Sequence, residues 1–307
     1  MPKLPKELKL LLEKQQNEVI GEHSAVKICT WTKKSLKDEG VCYKEKFYGI
    51  SSHRCCQLSP SMNFCQNSCI FCWRPIEHTV GTEMKGKIDD PKTLIDNAIK
   101  AQRKLLNGFP GNPKTNMKKF KQAQDPNQFA ISLSGEHTIY PKLGELIAEI
   151  KKRKATSYVV TNGMLPDKIK TLSPLPTNLY ISLDAPNETI FKKVDRPKLK
   201  DAWKRLNKSL DILKTLDTTT VLRVTMIKGM NMIKPEKYAE LIEKAQPDHV
   251  ELKAYMFVGS SRHRLTIDNM PRHHEVKEFT ELILKHLKDY SLKDEKKESR
   301  VVLLKKL

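Results

Sequence analysis

Short runs rich in Val, Ile, Leu and Tyr recur through the chain. They are QFAISLSG (128–135), SYVVTNG (157–163), NLYISLD (178–184), TTVLRVTMI (219–227) and HVELKAYMF (249–257). Each reads as a buried strand, and CCQLSPS (55–61) reads as the first of six. Between them the apolar residues fall three or four apart, as on one face of a helix: Leu94, Ala98, Ala101 and Leu105; Trp203, Leu206, Leu210 and Leu213; Val276, Phe279, Ile283 and Leu287. DDPKTLI sets an acidic cap before Pro91 and predicts a helix start.

Strands alternating with helices predict an α/β fold with a parallel sheet and right-handed crossovers, a rule met by open doubly wound sheets and by barrels alike. Six units are too few for a closed eight-fold barrel. In either architecture the chemistry gathers where strands end, which points to the loops GEHT, TNG, DAPNE and KGMN. Glycine and proline mark loops at 108–113 and 163–176, but no low-complexity linker separates two domains. The division expected is residues 1–54 as an extension and 55–307 as the main domain.

The chain has 307 residues and is 38% hydrophobic, enough for a substantial core. It has no apolar run long enough to span a bilayer, and its charged N-terminus lacks a signal-peptide pattern, so a cytoplasmic protein without membrane attachment is expected. The formal charge is 56 − 36 = +20, a field that attracts polyanions and makes nucleic acid the leading partner class. A lysine-rich surface serving solubility or heat stability gives the same charge.

All seven cysteines lie between residues 29 and 72. A reducing compartment disfavours a disulfide framework, which leaves metal ligation or catalysis. Cys65, Cys69 and Cys72 sit in the loop after the first strand, with three and then two residues between them. A closed zinc site takes four ligands, whereas three thiolates on an iron-sulfur cubane leave one iron open to a cofactor or substrate. Upstream, Cys29, Cys42 and Cys55 are separated by twelve residues each, a second candidate triplet open to the same cluster or zinc readings. Cys56 is left over and points to the other side of its strand.

The spacing Cys65-x-x-x-Cys69-x-x-Cys72, with Phe71 and Trp73 alongside and a six-fold βα pattern around it, resembles the signature of the radical S-adenosylmethionine enzymes. That resemblance implies a partial (βα)6 TIM-like barrel, a 4Fe-4S cluster on those cysteines and S-adenosyl-L-methionine on the open iron. It also implies that Gly135 and Glu136 of SLSGE, where Ser134 replaces a glycine, receive the cofactor's methionyl amine. Thr161, Asn162, Ser182 and Asp184 would contact its carboxylate and ribose, although the same residues suit ordinary turns and helix caps.

Both triplets together, with VDRPKLKDAW (194–203), resemble the tRNA 4-demethylwyosine synthases over nearly the whole chain. The family implies a second 4Fe-4S cluster on Cys29, Cys42 and Cys55. It implies that pyruvate condenses with N1-methylguanosine, immediately 3' of the anticodon in phenylalanine tRNA, to give 4-demethylwyosine. Lys44 matches the lysine proposed in that family to form an imine with pyruvate. KKRK (151–154), MKKFK (117–121) and SSRHRL (260–265) are candidate phosphate contacts, or simply solvated faces. Some eukaryotic members carry a flavodoxin-like domain that no segment here resembles, so the chain is similar to the single-domain, archaeal-type form and a separate electron donor is expected; a monomer is expected as well. Two other readings stay open: a two-cluster radical enzyme acting on a peptide or metabolite, and a zinc-stabilised tRNA-binding module.

Overall fold

The computed structural model describes residues 3–307, which fall into two compact units. The first holds residues 3–64, Val80–Val159 and Leu172–Thr177. Its elements in order are α1 (Lys6–Lys14), β1 (Asn17–Ile20), β2 (Ser24–Lys27), α2 (Thr30–Ser35), α3 (Tyr43–Tyr48), β3 (Cys55–Ser59), α4 (Pro91–Leu106), α5 (Met117–Ala123), β4 (Gln128–Ile131), α6 (Leu143–Lys152) and most of β5 (Thr156–Thr161). Strands β1, β2 and β3 pair antiparallel. Strands β3, β4 and β5 run parallel, with Cys55 opposite Gln128 and Gln128 opposite Thr156. Every residue of β4 is buried, as expected of a parallel strand covered on both faces.

The second unit holds Cys65–Thr79, Val160–Thr171 and Asn178–Leu307. It contains α7 (Pro166–Lys170), β6 (Asn178–Ser182), α8 (Glu188–Val194), α9 (Ala202–Leu213), β7 (Thr219–Met226), α10 (Pro235–Ala245), β8 (His249–Ala254), α11 (His273–Leu284), β9 (Tyr290–Lys296) and β10 (Val301–Lys306). Strands β6, β7 and β8 are parallel, and β10 pairs antiparallel with both β8 and β9. Both units are thus mixed α/β, with β1 at the edge of the first unit's strands and β9 at the edge of the second's.

All six strands read from the sequence are present. CCQLSPS stops pairing at Ser59, before Pro60, which has no N–H to give to a ladder. Helix α4 starts as its sequence dictates: Asp90 Oδ2 accepts the Thr93 N–H at 3.0 Å and Pro91 takes the first helical position. Its buried face is Leu94, Ile95, Ala98, Ala101, Gln102 and Leu106, one position on from the expected Leu105. Helix α11 ends at Leu284, so Leu287 lies beyond it. Among the described residues no helix is long and apolar enough to cross a membrane.

Candidate active site

The three-cysteine loop lies in the second unit, with Cys65 buried and Cys69 and Cys72 half-buried. Its backbone is tied to the end of α8: the Ser68 N–H reaches the Asp195 carbonyl at 3.0 Å and the Ile70 N–H reaches that of Val194 at 2.9 Å. The side chain of Ile70 packs in an apolar cluster with Val194, Ile227, Tyr255 and Leu265. From the other side the segment after β8 grips the loop's carbonyls. Arg264 donates through Nε to Ile70 at 3.1 Å and through Nη2 to Cys72, and the Ser260 N–H donates to Trp73 at 2.9 Å. Gly259 has φ +60°, and a Cβ there would stand 2.4 Å from the Trp73 carbonyl oxygen. Of the expected phosphate contacts in SSRHRL, Arg264 is thus committed internally, its side chain only 10% exposed.

Cys69 Sγ donates to Asp195 Oδ1 at 3.3 Å. Burial pushes the Cys69 thiol well up from its ordinary range, and Asp195, Cys65 and Cys72 add to the push. Burial also raises the Asp195 carboxyl, with Asp184 adding to it. Asp184 itself is pushed up to about 6 by burial, even though it accepts the Thr225 N–H at 2.7 Å. Arg74 is 2% exposed and donates to the Asn67 carbonyl and to Thr79 Oγ1, both at 2.8 Å. Burial works against its charge, but Cys72, Cys65 and Cys69 outweigh burial, and the guanidinium stays protonated. Asn162 Nδ2 lies 3.7 Å from Cys65 Sγ and 3.4 Å from Gln66 Oε1. The structure thus brings Asn162 and Asp184, both expected from the sequence, to the same loop as the three thiols.

These residues fit an anionic cluster and a polar cofactor. Thiolates are soft ligands whose charge a cationic metal core offsets, and Arg74 is a fixed countercharge beside the three cysteines. Among the described residues no three His, Cys, Asp or Glu side chains converge on a point that would hold a single ion. Asp195 Oδ2 and Asn67 Oδ1 are buried acceptors with no hydrogen-bond partner, a cost that a ligand amine or hydroxyl removes.

In the first unit, Gly135 follows β4 with φ +85°, and a Cβ there would stand 2.2 Å from the Ser61 carbonyl oxygen and 2.8 Å from that of Phe64. Only glycine lets this turn lie against residues 61–64. The Glu136 N–H donates to the Phe64 carbonyl at 2.6 Å, and its carboxylate caps the following turn by accepting from the Thr138 N–H at 3.1 Å. Thr161, at the end of β5, is buried and accepts the Gly163 N–H at 3.1 Å. Ser182, half-buried, closes β6 in register with Arg223.

The upstream triplet also assembles in the first unit. Cys29 caps α2, its sulfur accepting the Thr32 N–H at 3.4 Å. Cys42 caps α3 and donates its own N–H to Ser52 Oγ at 2.8 Å, and Cys55 opens β3. Burial raises the Cys55 thiol well above its usual range; Cys29 and Cys42 add to this and Lys44 opposes it, which puts each of them within electrostatic reach of Cys55. Lys44 is the only buried lysine among the described residues, at 7% exposure. Its Nζ stands 4.7 Å from the ring centre of Tyr158, which in turn meets Tyr48 edge-on at 6.0 Å. Cys56 faces the core, its thiol pushed to about 12 by burial.

Sequence reasoning missed Arg74, Asp195 and Tyr158. Arg74 had a signal, since it follows Cys72 by two residues in FCWRP. Asp195 lay unused in VDRPKLKDAW, and Tyr158 has no local signal that separates it from a core aromatic.

The family model for the radical S-adenosylmethionine superfamily matches residues 59–242, and that for wyosine base formation matches residues 244–306. The S-adenosyl-L-methionine-dependent tRNA 4-demethylwyosine synthases of Pyrococcus horikoshii and Pyrococcus abyssi are each 50% identical over 306 residues, covering 99% of this chain and 90% of theirs. A solved structure of TYW1 with a lysine-pyruvate adduct bound superposes with a TM-score of 0.89 at 38% identity, covering 98% of this chain and 96% of that one.

Proposed function

The chain belongs to the S-adenosyl-L-methionine-dependent tRNA 4-demethylwyosine synthases, radical enzymes of wyosine biosynthesis, and from that premise we propose that it condenses N1-methylguanosine of phenylalanine tRNA with pyruvate. We take β3 to β8 as the superfamily's partial (βα)6 barrel and residues 1–54 as its cysteine-bearing extension. Cys65, Cys69 and Cys72 would hold a 4Fe-4S cluster, which with S-adenosylmethionine would supply radical chemistry at the N1-methyl group. Cys29, Cys42 and Cys55 would hold a second 4Fe-4S cluster, which would supply Lewis acidity for pyruvate beside Lys44.

The chain's own residues then have separate tasks. The backbone at Gly135 and Glu136 receives the cofactor's methionyl amine. Thr161, Asn162, Ser182 and Asp184 contact its carboxylate and ribose. Arg74 neutralises the negative charge that three thiolates bring to the cysteine loop. Lys44 adds its neutral amine to the keto carbon of pyruvate, and the oxygen leaves as water with both nitrogen hydrogens, giving an imine. The surroundings of Lys44 carry this reading: it alone among the described lysines is buried, within electrostatic reach of Cys55, and a solved relative holds a lysine-pyruvate adduct. We further take the enzyme to be a cytoplasmic monomer reduced by a separate electron donor.

Anaerobic turnover with labelled pyruvate and tRNA carrying N1-methylguanosine tests the proposal. Label appears in the modified base if it is right, and an unlabelled base rejects the pyruvate step. Borohydride added to the enzyme with pyruvate traps the imine as a mass increment on the peptide containing Lys44.

A further inference from the structure

The segment that grips the cysteine loop has a second, outward side. Arg262 donates through Nε to the Phe257 carbonyl at 3.1 Å, and its guanidinium carbon stands 5.3 Å from the centre of the Phe257 ring. The hydrogen bond and the ring together hold the head of Arg262, an exposed residue that surface rotamer freedom would otherwise leave loose. Phe257 is anchored from below: its N–H meets Met270 Sδ at 3.4 Å, and its side chain packs on the apolar cluster of Ile70, Val194, Ile227, Tyr255 and Leu265. Met256 and Val258, the two neighbours of Phe257, are 36% and 44% exposed. Two residues further along, Arg264 binds the carbonyls of Ile70 and Cys72. A cation held over an aromatic ring, next in the chain to exposed apolar residues, therefore lies on the segment that holds the cysteine loop.

A guanidinium held over an aromatic ring matches an unstacked nucleobase better than a phosphate. Single-stranded RNA is read largely by bases stacking on aromatic rings and arginine planes, while phosphate contacts need only a mobile charge. We propose that Phe257 and Arg262 form a stacking platform for an anticodon-loop base next to the target guanosine. The inference rests on the tRNA reading above. By holding that neighbour, the platform keeps the loop splayed so that the target base can enter the site.

The test measures the affinity of the reconstituted holoenzyme for tRNA carrying N1-methylguanosine, using the wild type, Arg262→Lys and Arg262→Gln. Each is also measured on tRNAs made abasic at one anticodon-loop nucleotide at a time, leaving the target intact. Iron per chain is checked to be unchanged, so that the cysteine loop is intact in every sample. Loss of the plane with retention of charge in Arg262→Lys is expected to weaken binding roughly tenfold. On one abasic tRNA the wild type should lose the same factor, and there the substitution should cost nothing more. Wild-type affinity for Arg262→Lys, or an equal loss on every abasic tRNA, would overturn the platform and leave a phosphate contact at most. If the wild type itself neither binds nor modifies tRNA, the tRNA reading fails and the platform with it; turnover of tRNA with an indifferent Arg262→Lys condemns the platform alone.

Discussion

Cys69 Sγ donates a hydrogen bond to Asp195 Oδ1 over 3.3 Å, joining the middle cysteine of the loop to a residue 126 positions away that only the fold brings near. The other oxygen of Asp195 is buried without a partner. Asp195→Ala is therefore expected to weaken S-adenosylmethionine binding about tenfold, the scale of one hydrogen bond to a buried group. Iron content should stay at the wild-type level. Equilibrium dialysis with labelled cofactor measures this, and an unchanged Kd would remove Asp195 from the cofactor's contacts.

Asp184 gives a pH-dependent prediction. Its pKa is raised by burial to about 6, so between the unfolded carboxylate value and pH 6 the folded chain binds more protons than the unfolded one. Stability must then fall as pH rises through that window. Asp184→Asn keeps an oxygen to accept the Thr225 N–H and removes the ionisation. Its advantage over wild type should be near zero at pH 4 and grow to on the order of 3 kcal/mol at pH 7. Denaturant unfolding at the two pH values checks it; a gap that is constant with pH would contradict the burial argument.

Gly135→Ala forces a Cβ to within 2.2 Å of the Ser61 carbonyl oxygen at a φ of +85°. Backbone cannot yield as a flexible side chain does, so a stability loss of about 2 kcal/mol or more is expected. The segment displaced, residues 61–64, leads directly into Cys65. A melting curve gives the first effect, and cofactor affinity of the surviving folded protein gives the second.

The buried parallel strands were legible because a strand covered on both faces must be a run of apolar residues, as QFAI is. Strand β9, YSLKDEK, was not legible: it ends the strand order, and its polar side chains read as loop. The cysteines were legible by spacing alone. Arg74, Asp195 and Arg264 were not, because charge in a sequence is assigned to the surface by default. What turns Asp195 and Arg264 inward is tertiary, since the end of α8 and the 259–264 segment both close on a loop far from them in the chain, whereas Arg74 is held within that loop by Asn67 and Thr79. Tyr158 differs again, since a tyrosine in β5 looks like core until Lys44 is seen over its ring.

In the reaction proposed above, Lys44 separates two halves. Lys44→Ala is expected to leave S-adenosylmethionine cleavage within about twofold of wild type, and to reduce carbon transfer to tRNA by on the order of a thousandfold, as loss of a covalent nucleophile does. Release of 5'-deoxyadenosine and incorporation of labelled pyruvate carbon are counted in the same assay. Equal loss of both would show that Lys44 serves the first cluster or the fold.

The most direct measurement is the iron content and cofactor cleavage of anaerobically reconstituted wild type, Cys42→Ala and Cys69→Ala. Two cubanes require about eight irons per wild-type chain. Cys42→Ala should keep about four irons and still cleave S-adenosylmethionine, whereas Cys69→Ala should lose cleavage altogether. About four irons in the wild type, or zinc in place of iron, would contradict a second cluster on Cys29, Cys42 and Cys55.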